Sequence, residues 1–378
     1  MEASELIAEA FWKSRNVRVL APPHLRQDGA RLERELEGEE GVVFATSGSS
    51  GLPKWVLIRR AALLASAEAV SKHLSLSDCD RLMLPLPLYH VGGFGMAARS
   101  YVAGCDLRVS SGRWDPMCFV GELQTHRSTI TSLVPAQVHD LVSGRIEAPP
   151  SLRAVVVGGG ALAETEGQAA CDLGWPLLQS YGMTEAASQV ATDDLERANG
   201  RFRASPLPVL PHWEFRLGPQ DRLELRGEAL FEFYVRWDGD ALVREERRDR
   251  EEWFRSSDVV ELDGSLLAVR GRVDRQVKIL GEMVDLQAVE DELQSHLEGG
   301  EVRVLPLPDD RRGWRLQPVV GRAAARSGKV DDLITIFNRR VPGYARLEEV
   351  LLVDHFPRTA LGKIDDASLR DRIVPPRR

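Results

Sequence analysis

Between residues 41 and 190, short apolar runs alternate with longer helical stretches, and this alternation narrows the fold further than any other feature. Runs at 41–45, 81–86, 106–110, 130–133, 154–157 and 176–179 have strand length, while 61–74 and 92–103 have helix length. Such a pattern indicates an α/β domain whose largely parallel sheet is covered by helices. Residues 205–270 change character, and short alternating segments at 213–217, 222–226 and 229–235 predict antiparallel β structure. After Gly271-Arg272-Val273-Asp274 the chain restarts. Apolar residues at 286, 289, 293 and 297 mark one helical face, 302–305, 317–320 and 347–353 read as strands, and 331–338 reads as another helix. A compact α+β domain of roughly a hundred residues would result. At 378 residues the chain exceeds what one hydrophobic core usually supports, so two domains are expected. Residues 1–40 are polar and charged, with a weak helical pattern.

Composition excludes several classes of function. A net charge of −8 with no basic block argues against a nucleic-acid partner. No apolar run approaches the roughly 18 residues that a membrane span needs. The start, Met-Glu-Ala-Ser-Glu, lacks the basic and apolar stretches of a signal peptide. Cys79, Cys105, Cys118 and Cys171 show no metal-ligand spacing, and buried free thiols in a reducing cytoplasm are expected. Positive charge comes from 43 arginines and only six lysines, three of which (Lys54, Lys278, Lys363) fall in motif-like stretches. An ammonium is a compact point charge suited to a single phosphoryl oxygen.

Thr46-Ser47-Gly48-Ser49-Ser50-Gly51-Leu52-Pro53-Lys54 follows the first of these strands. Glycines admit close backbone approach, converging N–H groups and hydroxyls donate, and Lys54 adds charge, so the loop suits phosphate oxygens. It is not a Walker motif: counted from Gly48, the second glycine should stand where Pro53 does, and Trp55 follows the lysine. Taken alone, the same residues equally suit a flexible turn between a strand and a helix beginning near Ala61.

Other stretches carry similar double readings. Gly158-Gly159-Gly160 after the run at 154–157 suits a flat ledge for a purine ring or a plain tight turn. Ser180-Tyr181-Gly182-Met183-Thr184-Glu185 falls at a carboxyl strand end, where open α/β sheets bind ligands. It offers an aromatic face, a hydroxyl, and a carboxylate able to hold Mg²⁺, or an ordinary helix-start acid. Leu86-Pro87-Leu88-Tyr89-His90-Val91-Gly92-Gly93-Phe94-Gly95 places one histidine among glycines that leave room for a ligand, although a lone histidine is more often structural. Arg99, on an otherwise small and apolar helix, needs a partner. Asp258, Arg272 and the lysine of Pro357-Arg358-Thr359-Ala360-Leu361-Gly362-Lys363 are unremarkable singly.

In order along the chain, these segments resemble the acyl-adenylate-forming superfamily of acyl-CoA synthetases, nonribosomal-peptide adenylation domains and luciferases. The resemblance runs from Thr46 to Lys363, and seven motifs in family order are far more specific than any one of them. It implies a large α/β adenylating domain, 1–271, with parallel sheets and a small antiparallel subdomain, and a small mobile α+β domain, 272–378, hinged near Asp274. It implies a two-step ligase that uses ATP, Mg²⁺ and coenzyme A on a small-molecule carboxylic acid, working in the cytoplasm, and it allows a homodimer. Thr46, Ser47, Gly48, Ser49, Ser50, Gly51 and Lys54 correspond to the triphosphate loop and Glu185 to the Mg²⁺ ligand. Gly158, Gly159, Gly160, Ser180, Tyr181, Gly182 and Thr184 correspond to the adenine and α-phosphate region, and Asp258 with Arg272 to the ribose pair. Lys363 matches the catalytic lysine, with His90 as a second catalytic candidate. The acid pocket would use His90, Gly92, Gly93, Phe94, Arg99 and Gln137. Asp274, Lys278, Gly281 and Glu282 would serve the hinge and the thiol tunnel. Within the family, Leu86–Gly95 and Ser132-Leu133-Val134-Pro135-Ala136-Gln137 are most similar to the branch acting on an aromatic diacid, where Arg99 would offset the carboxylate left charged. Three departures stand out: a short segment before the phosphate loop, Trp55 in place of a glycine, and Leu280-Gly281-Glu282 in place of Gly-Gly-Glu.

Overall fold

A computed structural model describes residues 3–6, 8–46, 54–198, 200–238, 241–246, 249, 251–279, 282–297, 301–309, 313–322, 330–339, 341, 343–359 and 362–373. Packing divides the chain into two units. The first comprises Met1–Gly218, Glu224–Ser256 and Glu261–Ala268; the second comprises Pro219–Leu223, Ser257–Val260 and Val269–Arg378.

The first unit contains a six-stranded sheet in the order Asp106–Val109, Arg81–Leu84, Ile130–Leu133, Ala154–Val157, Leu177–Met183, Ser188–Thr192. Its first five strands are parallel and the last runs antiparallel. The near-continuous apolar runs of the sequence are explained by burial: Ile130–Leu133 and Ala154–Val157 are buried at every position. Connection order reverses at Arg81–Leu84, whose neighbours in the sheet are the next two strands of this sheet along the chain, one on each side. The crevice at such a reversal, beyond the carboxyl ends of the strands, is where open sheets hold ligands.

A second, mixed sheet runs Val17–Leu20, Gly41–Thr46, Lys54–Ile58, Phe233–Asp238, Ala241–Glu245. It corrects two sequence expectations. The phosphate-loop residues do not lead from a strand to a helix; they join two antiparallel strands in which Thr46 pairs with Lys54, and the helix Arg60–His73 begins only after the second. The polar N-terminal region also contains a strand, Val17–Leu20, parallel to Gly41–Thr46. Alternation along Lys54–Ile58 sends Trp55 and Leu57 to one face, packed with Val17, Leu32, Val43, Phe233 and Val235. Trp55 is only 1 % exposed, so the departure from glycine fills the core on the face of the strand opposite Lys54.

Strands Leu207–Pro208, Leu266–Arg272, Phe254–Asp263, Arg222–Arg226 and Glu214–Leu217 form a further sheet in that order. In the second unit, Val302–Asp309 pairs antiparallel with Gly313–Gly321, which pairs in parallel with Leu351–Val353. Helices Leu286–Ser295 and Val330–Asn338 pack on it through Val289, Leu293, Leu333 and Phe337. The expected strand at 347–353 is shorter than its apolar pattern, because Leu347 is a core residue outside the ladder. The thiols differ from expectation as well. All four cysteines are free, but only Cys105 is buried, and burial pushes its thiol up to about 11.

Candidate active site

Loops following parallel strands of one sheet emerge at the same edge. Four of the singled-out segments do so: Leu86–His90, Val134–Gln137, Gly158–Gly160 and the end of Leu177–Met183. The glycine ledge is held by a side chain that sequence reasoning passed over. Gln179 accepts from the Leu162 N–H at 3.3 Å and donates to the carbonyls of Val157 at 3.2 Å and Gly160 at 3.1 Å. A glutamine at a buried strand end, directly before the Ser-Tyr-Gly run, was the signal available. Gly159 adopts φ +81°, which favours glycine. Gly182 is required by contact, since a Cβ there would stand 1.9 Å from the Ser188 carbonyl oxygen.

Tyr234 brings Lys54 and Glu185 together. Its hydroxyl donates to Glu185 Oε1 at 2.8 Å, and the Lys54 ammonium lies 5.7 Å from its ring centre. Phe231 N–H donates to the Glu185 carbonyl at 2.8 Å, fixing the backbone beneath the carboxylate. Register explains the grouping: Tyr234 pairs with Val56, so Lys54, Val56 and Tyr234 share a face. Thr46 Oγ1 donates to the Lys54 carbonyl at 3.2 Å and closes the base of the loop. Ser47, Gly48, Ser49, Ser50 and Gly51 lie outside the described residues. Glu185, one carboxylate with one oxygen engaged by a hydroxyl, fits a Mg²⁺ whose remaining ligands come from phosphate and water.

His90 is the N-cap of the helix Val91–Ala103, which carries Gly92, Gly93 and Arg99. Arg99 is 4 % exposed. No carboxylate among the described residues pairs with it, and burial lowers its guanidinium to about 10. Its Nη1 and Ser188 Oγ border the helix at Gly95. A cation held this way is a receptor for an anion.

Three expected ligand-facing residues have inward roles instead. Phe94 is 0 % exposed and meets the rings of Trp12 at 5.8 Å and Phe44 at 5.2 Å, a core position. Ser180 is buried, and its hydroxyl is spent on the Ala191 carbonyl and Thr192 Oγ1. Gln137 is buried and accepts from the Val134 N–H at 3.0 Å, capping the helix Pro135–Ser143.

The second unit gathers its own candidates. Arg272 Nη1 donates to Asp258 Oδ1 at 2.8 Å, with the carboxylate buried and the guanidinium exposed. Lys363 stands in the field of both: the protein around its ammonium lowers its pKa, Arg272 lowers it further, and Asp258 opposes. Its loop is braced at Thr359, whose N–H donates to the Lys363 carbonyl at 2.8 Å and whose carbonyl accepts from the Gly362 N–H at 2.9 Å. Three residues on, Asp366 receives Arg275 and Arg303, which also bind Glu290. Lys278 and Glu282 belong to paired strands Gln276–Ile279 and Glu282–Asp285, and Asp274 to the short helix Val273–Arg275. Gly281 lies outside the described residues.

Residues 30–221 match the family model described as AMP-binding enzyme. The chain is 28 % identical over 338 residues to a 2-succinylbenzoate–CoA ligase of Enterococcus faecalis, covering 87 % of this chain and 69 % of that one. It is 28 % identical over 349 residues to an indoleacetate–CoA ligase of Aromatoleum aromaticum, covering 88 % and 67 %. A solved structure of a variant of Escherichia coli MenE with bound OSB-AMS superposes with a TM-score of 0.68 at 26 % identity, covering 88 % and 68 %. With its sheets, its strand-end loops and this match in hand, the chain belongs to the AMP-binding enzyme family.

Proposed function

We propose that this chain is an AMP-forming acid–thiol ligase that activates 2-succinylbenzoate and transfers it to coenzyme A, serving menaquinone biosynthesis in the cytoplasm. The buried Arg99, without a carboxylate partner among the described residues, carries the choice of acid. Activation removes the charge of one carboxylate only, so a diacid keeps a second charge that needs a cation in the pocket. A monoacid such as indoleacetate leaves Arg99 unanswered.

In the first step a carboxylate oxygen bonds to the α-phosphorus of ATP and pyrophosphate departs; in the second a thiol sulfur bonds to the acyl carbon and AMP departs. Lys54 and the 46–54 loop hold the triphosphate. Glu185, oriented by Tyr234, holds the Mg²⁺, which neutralises phosphate charge when bound. Gly158–Gly160 and Tyr181 flank adenine, with Thr184 near the α-phosphate. Asp258 and Arg272 take the ribose, and Lys363 stabilises charge moving between carboxylate and α-phosphate. His90, at the start of the helix bearing Arg99, borders the acid. The region 272–378 acts as a domain that turns about Asp274 between steps, bringing Lys278, Gly281 and Glu282 to the thiol. A small acid is the partner, nucleic acid is not, and a homodimer is the assembly to look for.

Replacing Arg99 by Leu tests the reading. KM for 2-succinylbenzoate is expected to rise about tenfold to a hundredfold, the worth of one charged hydrogen bond, with little change for benzoate-like monoacids. An equal rise for both classes would place Arg99 outside the acid pocket.

A further inference from the structure

Lys363 stands where its own charge would not keep it. Arg272 repels the ammonium, and the protein around it disfavours the charged form. Asp258, which attracts it, already accepts from Arg272 at 2.8 Å. The lysine's place is therefore imposed by the chain that carries it.

That chain is held at Asp366, three residues on and at the start of the helix Asp366–Ile373. Arg303, on the strand Val302–Asp309, donates from Nε and Nη2 to the two oxygens of the Asp366 carboxylate. Arg275 Nη1 donates to its Oδ2 at 3.0 Å. Arg275 ends the short helix Val273–Arg275, directly after Asp274 and three residues after Arg272. Segments 272–275 and 363–366 thus face each other twice: Arg272 and Lys363 interact through their fields, Arg275 and Asp366 through a bond. Three residues span at most about 10 Å, so the bond limits how far the two cations can separate.

Local folding does not depend on this bond. Asp365 caps the helix, accepting from the N–H groups of Ala367 and Ser368, both at 3.1 Å. Leu369, 0 % exposed, seats the helix among Leu305, Leu307, Val319 and Phe356. The two arginines also share Glu290, whose Oε1 accepts from the Val304 N–H at 2.6 Å. Of the four charged residues, only Asp366 belongs to the segment of Lys363.

We propose that Arg275 and Asp366 are positioning residues whose bond holds the Lys363 ammonium beside the Arg272–Asp258 pair for the adenylation step. The proposal rests on the ligase reading, which gives Lys363 that step.

The full chain has six lysines, so reductive methylation with ¹³C-formaldehyde lets NMR follow each ammonium through its titration, with Lys363→Arg assigning the resonance. In Arg275→Gln and in Asp366→Ala the Lys363 pKa should rise toward the ordinary lysine value, because the ammonium leaves Arg272. Neither replaced residue is among the groups that shift the lysine, so the change reports position. In unlabelled protein, kcat for adenylate formation should fall about tenfold or more with KM for ATP little changed. Adding Arg275→Gln to Asp366→Ala should lower kcat little further, since the bond is already gone. Asp366 is the more exposed partner, so Asp366→Ala serves if Arg275→Gln does not fold. Glu290→Gln cuts the cluster away from the lysine's segment; it should lower the melting temperature and leave the Lys363 pKa and kcat as in the parent. An unchanged Lys363 pKa in both variants, the same loss of kcat in Glu290→Gln, or losses that multiply in the double variant would each overturn the proposal. A parent that forms no adenylate from any acid would sink the ligase reading, and the lysine titration would still uphold or overturn the bond.

Discussion

Lys363 shows what one residue contributes and how it can be isolated. Its replacement by Ala is expected to abolish adenylate formation while leaving thioester formation from supplied acyl-adenylate largely intact, measured as separate half-reactions; equal loss of both would refute the assigned role. Its pH dependence has a definite sign. Surrounding protein and Arg272 outweigh Asp258 and lower its pKa below the ordinary lysine value, so the charged form is lost at lower pH than usual. As pH rises through that pKa, kcat/KM for adenylation should fall, because kcat/KM reports the free enzyme. The thiol step supplied with adenylate should lack this limb, and a limb common to both steps would assign it to another group. At this scale residue type alone singled out Arg99, Glu185 and Lys363 as candidates. The sequence was not legible where neighbours decide the direction of a side chain: Phe94 and Ser180 carry suitable groups but face inward. Gln179 and Tyr234 matter only through partners that sequence distance hides, 17 to 49 residues away.

Elements are set by burial pattern, and the strands most deeply buried were the most legible. Lys54–Ile58 was missed because its short apolar run is bounded by Lys54 and by Arg59-Arg60, which resemble the flanks of a loop. Val17–Leu20 was missed because a half-exposed outer strand interleaves Arg18 with its apolar residues. Two tests belong here. Tyr234→Phe releases the Glu185 carboxylate, which lies on the short helix Thr184–Ala186, from the strand Phe233–Asp238. It should raise the Mg²⁺ concentration for half-maximal activity several-fold with little loss of thermal stability; an unchanged Mg²⁺ dependence would show that Tyr234 does not orient Glu185. The second concerns Asp80, which takes a two-pronged bond from Arg153 at 2.9 Å and binds Thr129 and Ser77. Arg153 also donates to the Leu74 carbonyl at 2.8 Å, so the bridge ties the end of the helix Arg60–His73 to two strand starts. Asp80→Asn should cost about 2–3 kcal/mol in denaturant melts, because it leaves a largely enclosed guanidinium without its counter-charge. Desolvation raises the Asp80 pKa, the hydrogen bonds outweigh it, and the folded value is net lowered. The bridge's contribution is therefore complete above the unfolded pKa and disappears as pH falls through the folded one. A melt with the same acid limb in the variant would contradict that.

For the whole molecule, sheet alternation and motif order gave the fold class and family before any coordinates, because both depend on patterns that burial imposes along the chain. The acid was less legible, since its recognition depends on whether a cation finds a partner in three dimensions, and Arg99 finds no carboxylate among the described residues. The central claim is that this chain joins a diacid to a thiol through an adenylate. The direct test is incubation with Mg·ATP, coenzyme A and a panel of acids that includes 2-succinylbenzoate, followed by mass detection of thioester and AMP. The account predicts a 2-succinylbenzoyl thioester with stoichiometric AMP, formed in preference to thioesters of monoacids. ATP binding with no thioester from any acid would contradict it.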